Sequence, residues 1–70
     1  MSNYISVEEL YDIAYDIFHD INSEEFDGDL SSEIVEWIID DFDFAEVFES
    51  FNYDEDKFGE WVIEQIYNFV

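Results

Sequence analysis

Residues 6–21 read SVEELYDIAYDIFHDI, and this stretch decides the class of fold. Ser6 followed three residues later by Glu9 is a capping box, a pair of residues with which many helices begin. Apolar side chains then recur at intervals of three and four residues, as they do on one face of an α-helix. They are Leu10, Ile13, Ala14, Ile17, Phe18 and Ile21. The pattern predicts a helix from about Val7 to Ile21 with one buried face.

A loop and a second helix are predicted next. Residues 22–29 contain Asp27-Gly28-Asp29 and are typical of a loop. Asp29, Ser31 and Ser32 are alternative N-caps of the second helix. Its predicted buried side chains are Ile34, Trp37, Ile38 and Phe42. The many β-branched residues between 34 and 39 make a strand the alternative there, although polar and apolar residues alternate poorly.

Two acidic N-caps predict the remaining helices. Asp43, with Glu46 three residues later, begins a short helix, and Asp54 caps the last one. Asn52 and Tyr53 interrupt the helical pattern between them. The predicted inner faces are Phe44, Val47, Phe48 and Phe51, then Phe58, Trp61, Val62, Gln65, Ile66 and Phe69. The sequence therefore predicts a single all-α domain over residues 1–70, a small compact bundle of three to four short helices around an aromatic core.

The second dominant feature is charge. The 70-residue chain has 21 Asp and Glu and one Lys or Arg, Lys57, so its formal net charge is -20 at pH 7. Chains this acidic usually stay unfolded, because self-repulsion opposes collapse. Here 49% of residues are hydrophobic and 21% are aromatic, enough for a packed core. We therefore expect a folded polyanion that binds neither nucleic acid nor membranes, which repel its charge, and whose partner is basic.

The acidic residues form rows at helical spacing. Glu8, Asp12, Asp16 and Asp20 follow at intervals of four residues, about 6 Å along a helix axis. Successive phosphates of one nucleic-acid strand are separated by about 3.4 Å along the duplex axis and by a further displacement around it, so their spacing is close to that of the carboxylates. The last helix repeats the row with Asp56, Glu60 and Glu64, and the second helix has Glu33, Glu36 and Asp40. Like charges four apart destabilise a helix by about 0.2–0.5 kcal/mol per pair, so we interpret the rows as phosphate mimics that bind a partner.

The start of the chain resembles the Ocr family of phage antirestriction proteins, which mimic B-form DNA. The similar residues, all within residues 1–20, are Met1-Ser2-Asn3, Leu10-Tyr11-Asp12, Ala14-Tyr15-Asp16 and Ile17-Phe18. The resemblance implies a homodimer that occupies the DNA channel of a type I restriction-modification enzyme, with Asp12 and Asp16 as phosphate mimics. Small acidic anti-CRISPR proteins are similar in composition. That similarity implies the same mimicry of DNA charge, directed at another enzyme.

Together these features predict a DNA-mimic inhibitor without enzymatic activity, a monomer or small homodimer. It would occupy the basic DNA-binding groove of a bacterial defence enzyme, either a type I restriction-modification enzyme or a CRISPR effector. The alternative is an acidic regulatory or chaperone-like protein that shields a basic partner. Acidic faces that serve solvation alone, as in adaptation to high salt, are the third interpretation. The chain has no Cys and no apolar run typical of a signal peptide, so we expect it in the cytoplasm, that of the bacterial host if it is phage-encoded.

No metal or cofactor site is predicted. With Gly28 in the sixth position of a calcium-binding loop, Ser23 takes the first position and Ile34 the twelfth, where a bidentate Glu is required. His19 is the sole imidazole, and no Cys or second His accompanies it. A lone His beside acidic residues is more often an exposed helix residue than a metal ligand or a base.

Overall fold

The computed structural model describes residues 5–70, and within that range it contains four helices and no strand. The helices are α1 (Val7–Glu25), α2 (Glu33–Asp41), α3 (Phe44–Ser50) and α4 (Glu55–Asn68). The predicted all-α fold is confirmed. The alternative strand between residues 34 and 39 is wrong, because that segment lies within α2. Met1-Ser2-Asn3, part of the resemblance to Ocr, lies outside the described residues.

The predicted N-caps of α1, α3 and α4 are confirmed. Each cap oxygen accepts hydrogen bonds from backbone N–H groups of the first helical turn, which have no partner within the helix. Ser6 Oγ lies 3.2 Å from the Glu9 nitrogen. Asp43 Oδ1 accepts from Ala45 at 3.1 Å and Glu46 at 3.3 Å, and Asp54 Oδ1 accepts from Asp56 at 3.0 Å and Lys57 at 3.3 Å. These bonds fix where the three helices begin.

Helix α1 is longer than predicted, because it ends at Glu25 and not at Ile21. Asn22, predicted as the first loop residue, keeps a helical backbone while its side chain binds Leu30. Its Oδ1 accepts the Leu30 N–H at 2.9 Å, and its Nδ2 donates to the Leu30 carbonyl oxygen at 3.2 Å. After the helix the chain turns at Asp27 and Gly28, whose φ angles are 52° and 79°. Gly28 tolerates this left-handed backbone without strain.

The prediction for α2 was wrong at two of its four core positions. Trp37 and Phe42 are 45% and 38% exposed, whereas Val35 is fully buried. Successive helix residues are about 100° apart, so Trp37 lies to one side of the buried Ile38. Of the three alternative N-caps, Ser32 directly precedes the helix but makes no side-chain cap bond, and Ser31 Oγ accepts the Glu33 N–H at 3.2 Å.

All four helices contribute to one core, which is aromatic as predicted. Phe44 makes three edge-to-face contacts, with ring centroids 5.5 Å from Tyr11, 5.4 Å from Phe58 and 5.7 Å from Trp61. Such pairs stabilise a core beyond the burial of their surface. The buried side chains are Leu10, Ala14, Phe18, Ile34, Val35, Ile38, Phe44, Phe48, Phe58, Val62 and Ile66. Trp61 and Gln65, predicted on the inner face of α4, are only partly buried, and Phe69 is 36% exposed.

Helices α1 and α4 are parallel neighbours. A Cβ atom at Gly59 would lie 3.2 Å from Ile17 Cδ1, so the two helices approach closely at this point. Further along both helices, the ring centroids of Phe26 and Tyr67 are 6.1 Å apart. From the first contact to the second, the residue number increases along both helices. Helices α1 and α4 therefore run in parallel.

Helices α2 and α3 form a second layer on one side of this pair. Each of them contacts both α1 and α4. The buried residues of α1 and of α4 follow at intervals of four and so form one stripe on each helix, which places α2 and α3 on the same side of the pair. The other side of the α1/α4 pair is open to solvent.

Candidate functional site

The acidic side chains are all on the surface. Each of the 21 Asp and Glu residues is exposed, and no polar or charged residue is buried within residues 5–70. The body measures 41 × 21 × 17 Å, so there is about one carboxylate per 2 Å of its length, against about one charge per 1.7 Å of duplex DNA. The folded protein thus approaches the linear charge density of a DNA duplex.

The row on α1 faces away from the core. Ala14, buried together with Leu10 and Phe18, marks the middle of the inner face of the helix. Asp12 and Asp16 each lie two residues from Ala14, which places them about 160° around the helix from it. Glu8 and Asp20 continue the row toward the two ends, and all four carboxylates are exposed. The helix therefore holds this row in fixed positions toward solvent.

The row on α4 has the same geometry. Val62, buried together with Phe58 and Ile66, marks its inner face. Glu60 and Glu64 lie two residues to either side of Val62 and so point away from the core. Asp56, one turn earlier than Glu60, is exposed as well.

The rows of α1 and α4 share one face of the molecule. The two helices are parallel neighbours, and their common inner side is covered by α2 and α3, so both rows flank the open side. We call this surface the α1/α4 acidic face; it consists of Glu8, Asp12, Asp16, Asp20, Asp56, Glu60 and Glu64. Packed helix axes are about 8–10 Å apart, and because both rows point away from the core, the carboxylates of the two rows lie farther apart than the axes. The α1/α4 acidic face therefore presents two rows of negative charge, one from each of two neighbouring helices.

The third predicted row lies elsewhere. Glu33, Glu36 and Asp40 are exposed on α2, as the helical spacing predicts. Because α2 belongs to the other layer, its row does not extend the α1/α4 acidic face. One flat surface of a partner therefore cannot contact all three rows.

An exposed aromatic pair next to the α2 row was missed by the sequence reasoning. Trp37 was predicted in the core and Phe69 on the inner face of α4, but both are exposed and their ring centroids are 5.9 Å apart. The available signal was the position of Trp37 on the helix, four residues after Glu33 and four before Asp41. Asp and Glu are almost never fully buried, so acidic residues on both sides of Trp37 indicate an exposed side of the helix.

The described part of the chain contains neither a metal-binding cluster nor a helix that could span a membrane, and its one His is exposed. Residues 5–70 contain no group of three His, Cys, Asp or Glu side chains placed to hold a metal ion. His19 is exposed beside an open depression lined by Asn22, Ser23, Asp27 and Gly28. None of the helices described combines the length and apolar character that crossing a membrane requires.

In comparisons with known proteins, the chain matches no family model, no curated protein and no solved structure. The resemblance of its first residues to the Ocr family therefore stays a prediction. A functional proposal has to rest on the geometry and charge of the molecule itself.

Proposed function

We propose that this protein is a DNA-mimic inhibitor of a bacterial DNA-handling defence enzyme, a type I restriction-modification enzyme or a CRISPR effector. The observation that supports it best is the folded body with about one exposed carboxylate per 2 Å, close to the charge density of a duplex. Such enzymes bind phosphates through Lys and Arg, and the same side chains form strong charge-assisted hydrogen bonds with carboxylates. The proposal places the protein in the bacterial cytoplasm with its target.

The α1/α4 acidic face is the proposed contact surface. Its carboxylates lie on two helices that pack directly against each other, so the backbone positions that carry them are fixed before binding. A disordered polyanion of equal charge has to lose conformational freedom when it binds, which reduces its affinity. Fixed rows therefore favour an inhibitor that matches one groove over a generic acidic shield.

The mode of inhibition is competition. Lys and Arg side chains of the target that contact these carboxylates are no longer available to phosphates, and the negative charge of the inhibitor repels an approaching duplex. Attraction between a protein of charge -20 and a basic groove also accelerates association, and salt weakens that effect.

A gel-shift competition tests this proposal. A purified type I restriction-modification enzyme and a purified CRISPR effector are each loaded with labelled duplex and titrated with the protein. We expect displacement of the duplex from one of the two enzymes, with inhibition that weakens as salt increases. A ternary complex of enzyme, duplex and protein, or no displacement from either enzyme, would contradict the proposal.

The control is a polyglutamate peptide of the same net charge. If the peptide displaces the duplex as well as the folded protein does at equal molar concentration, the arrangement of the carboxylates is irrelevant. That result would favour the alternative, an acidic protein that shields a basic partner.

A further inference from the structure

Trp37 and Phe69 form an aromatic pair on the surface, outside the α1/α4 acidic face. Their rings are tilted by 41° with centroids 5.9 Å apart, and 45% of Trp37 and 36% of Phe69 remain exposed. Val70, next to Phe69, is 55% exposed. We call Trp37, Phe69 and Val70 the aromatic edge. Trp side chains are enriched at protein interfaces, so an exposed Trp that packs against a second exposed ring is a candidate contact.

The surroundings of the aromatic edge are negative. Glu33 and Asp41 lie four residues before and after Trp37, and Asp40 lies three after it, all positions that adjoin Trp37 on the helix surface. All three carboxylates are exposed. Lys57 lies in the first turn of α4, about 18 Å along the helix from Phe69. Within residues 5–70, Lys57 is the one Lys or Arg, so no basic side chain of that range balances the carboxylates around the aromatic edge.

This combination of groups restricts what can bind there. A second copy of the chain would bring one charge of -20 against another, with Lys57 as its one basic side chain. A purely apolar segment would cover Trp37 but would also remove water from the neighbouring carboxylates without a compensating hydrogen bond, which is costly. A segment that offers both a cation and a flat apolar surface satisfies the whole site.

We infer that the aromatic edge docks an arginine-bearing segment of the basic partner protein. The guanidinium group is planar, weakly hydrated and always charged, so it stacks on a Trp ring and at the same time donates paired hydrogen bonds to a carboxylate. Trp37 provides the ring, and Glu33, Asp40 and Asp41 provide the carboxylates. A lysine ammonium is a compact, strongly hydrated charge that cannot do both equally well.

This inference rests on the proposed function for the existence of a basic partner and adds a contact that duplex DNA does not make. A phosphate backbone has no exposed aromatic ring among its charges. The α1/α4 acidic face would compete with DNA, while the aromatic edge would distinguish one basic protein from others.

The test uses the whole protein and two synthetic probes, hexaarginine and hexalysine, which have equal charge. The Trp37 indole N–H signal is identified by its loss from the NMR spectrum of the Trp37→Phe variant and is followed during titration. We expect hexaarginine to shift this signal and to bind about two- to fivefold more tightly than hexalysine, as stacking at an exposed site predicts. Trp37→Ala should remove the difference between the peptides.

Tyr53→Ala is the matched control, because Tyr53 is 50% exposed and precedes α4, at the opposite end of that helix from Phe69. It should leave the preference for hexaarginine unchanged. An unshifted Trp37 indole signal, or equal affinity for both peptides in the unmodified protein, would overturn the inference. Both measurements are independent of the DNA competition, so failure of the proposed function and failure of this inference are distinguishable.

Discussion

The side-chain amide of Asn22 makes two hydrogen bonds to the backbone of one residue, Leu30. Asn22 Oδ1 lies 2.9 Å from the Leu30 nitrogen, and Asn22 Nδ2 lies 3.2 Å from the Leu30 carbonyl oxygen. Both groups are partly buried. The pair fastens the end of α1 to the segment that leads into α2, and thereby sets the position of the second layer.

Asn22→Ala should lower the free energy of unfolding by about 1–3 kcal/mol, because two hydrogen bonds at about 0.5–1.5 kcal/mol each are lost. Urea titration measures this change without altering the ionic strength, which guanidinium chloride would do. Asn68→Ala, at an exposed position in the last turn of α4, is the control and should change stability by less than about 0.5 kcal/mol. Equal stability of the two variants would mean that the Asn22 bridge contributes nothing.

The N-cap of α4 separates the effect of hydrogen bonding from that of charge. Asp54→Ala removes both the cap acceptor and one carboxylate, and it should destabilise the protein by about 0.5–2 kcal/mol. Asp54→Asn keeps an acceptor oxygen and removes only the charge, so its stability should equal or exceed that of the parent protein. Urea unfolding of both variants checks this prediction. A loss of the same size in both would show that the charge of Asp54, and not its cap bond, stabilises α4.

Salt should stabilise the fold. Raising NaCl from 0.01 M to 1 M shortens the screening length from about 30 Å to about 3 Å and so weakens repulsion among the exposed carboxylates. We expect the melting temperature, followed by circular dichroism, to rise with salt. The rise should be smaller in the triple variant Asp27→Asn, Glu46→Gln, Glu49→Gln, which has three fewer charges. A melting temperature that falls with salt would contradict the interpretation that repulsion among the carboxylates destabilises the fold.

The helices could be predicted from sequence because their signals are local. The N-caps Ser6, Asp43 and Asp54 bind backbone N–H groups no more than three residues later in the chain. The spacing of apolar residues identifies most of the inner faces. The end of α1 was mispredicted because Asn22 binds Leu30, a partner eight residues away that no local pattern identifies. Trp37 was misplaced because its burial depends on where α4 lies, and that depends on the packing of the whole chain.

The acidic rows were likewise predictable one helix at a time. Intervals of four residues place Asp12 and Asp16 on one side of α1, and the structure agrees. That the α1 and α4 rows lie on neighbouring helices follows from the close approach of Gly59 to Ile17, between residues 42 positions apart in the chain. Sequence spacing alone does not contain that contact.

The most direct test of the central claim compares two triple variants of equal net charge. Asp16→Asn, Asp20→Asn, Glu60→Gln removes carboxylates from both rows of the α1/α4 acidic face. Asp27→Asn, Glu46→Gln, Glu49→Gln removes three exposed carboxylates outside every row. Circular dichroism first confirms that both variants are folded.

The measurement is the inhibition constant of each variant against the enzyme from which the parent protein displaces duplex DNA. We expect the first variant to lose at least tenfold in inhibition, because charge-assisted contacts contribute about 1.5–3 kcal/mol each and about 1.4 kcal/mol corresponds to a factor of ten. The second should stay within about threefold of the parent, since only long-range attraction is reduced and salt screens it. Equal losses in the two variants would show that total charge, and not the arrangement of carboxylates on the α1/α4 acidic face, determines binding.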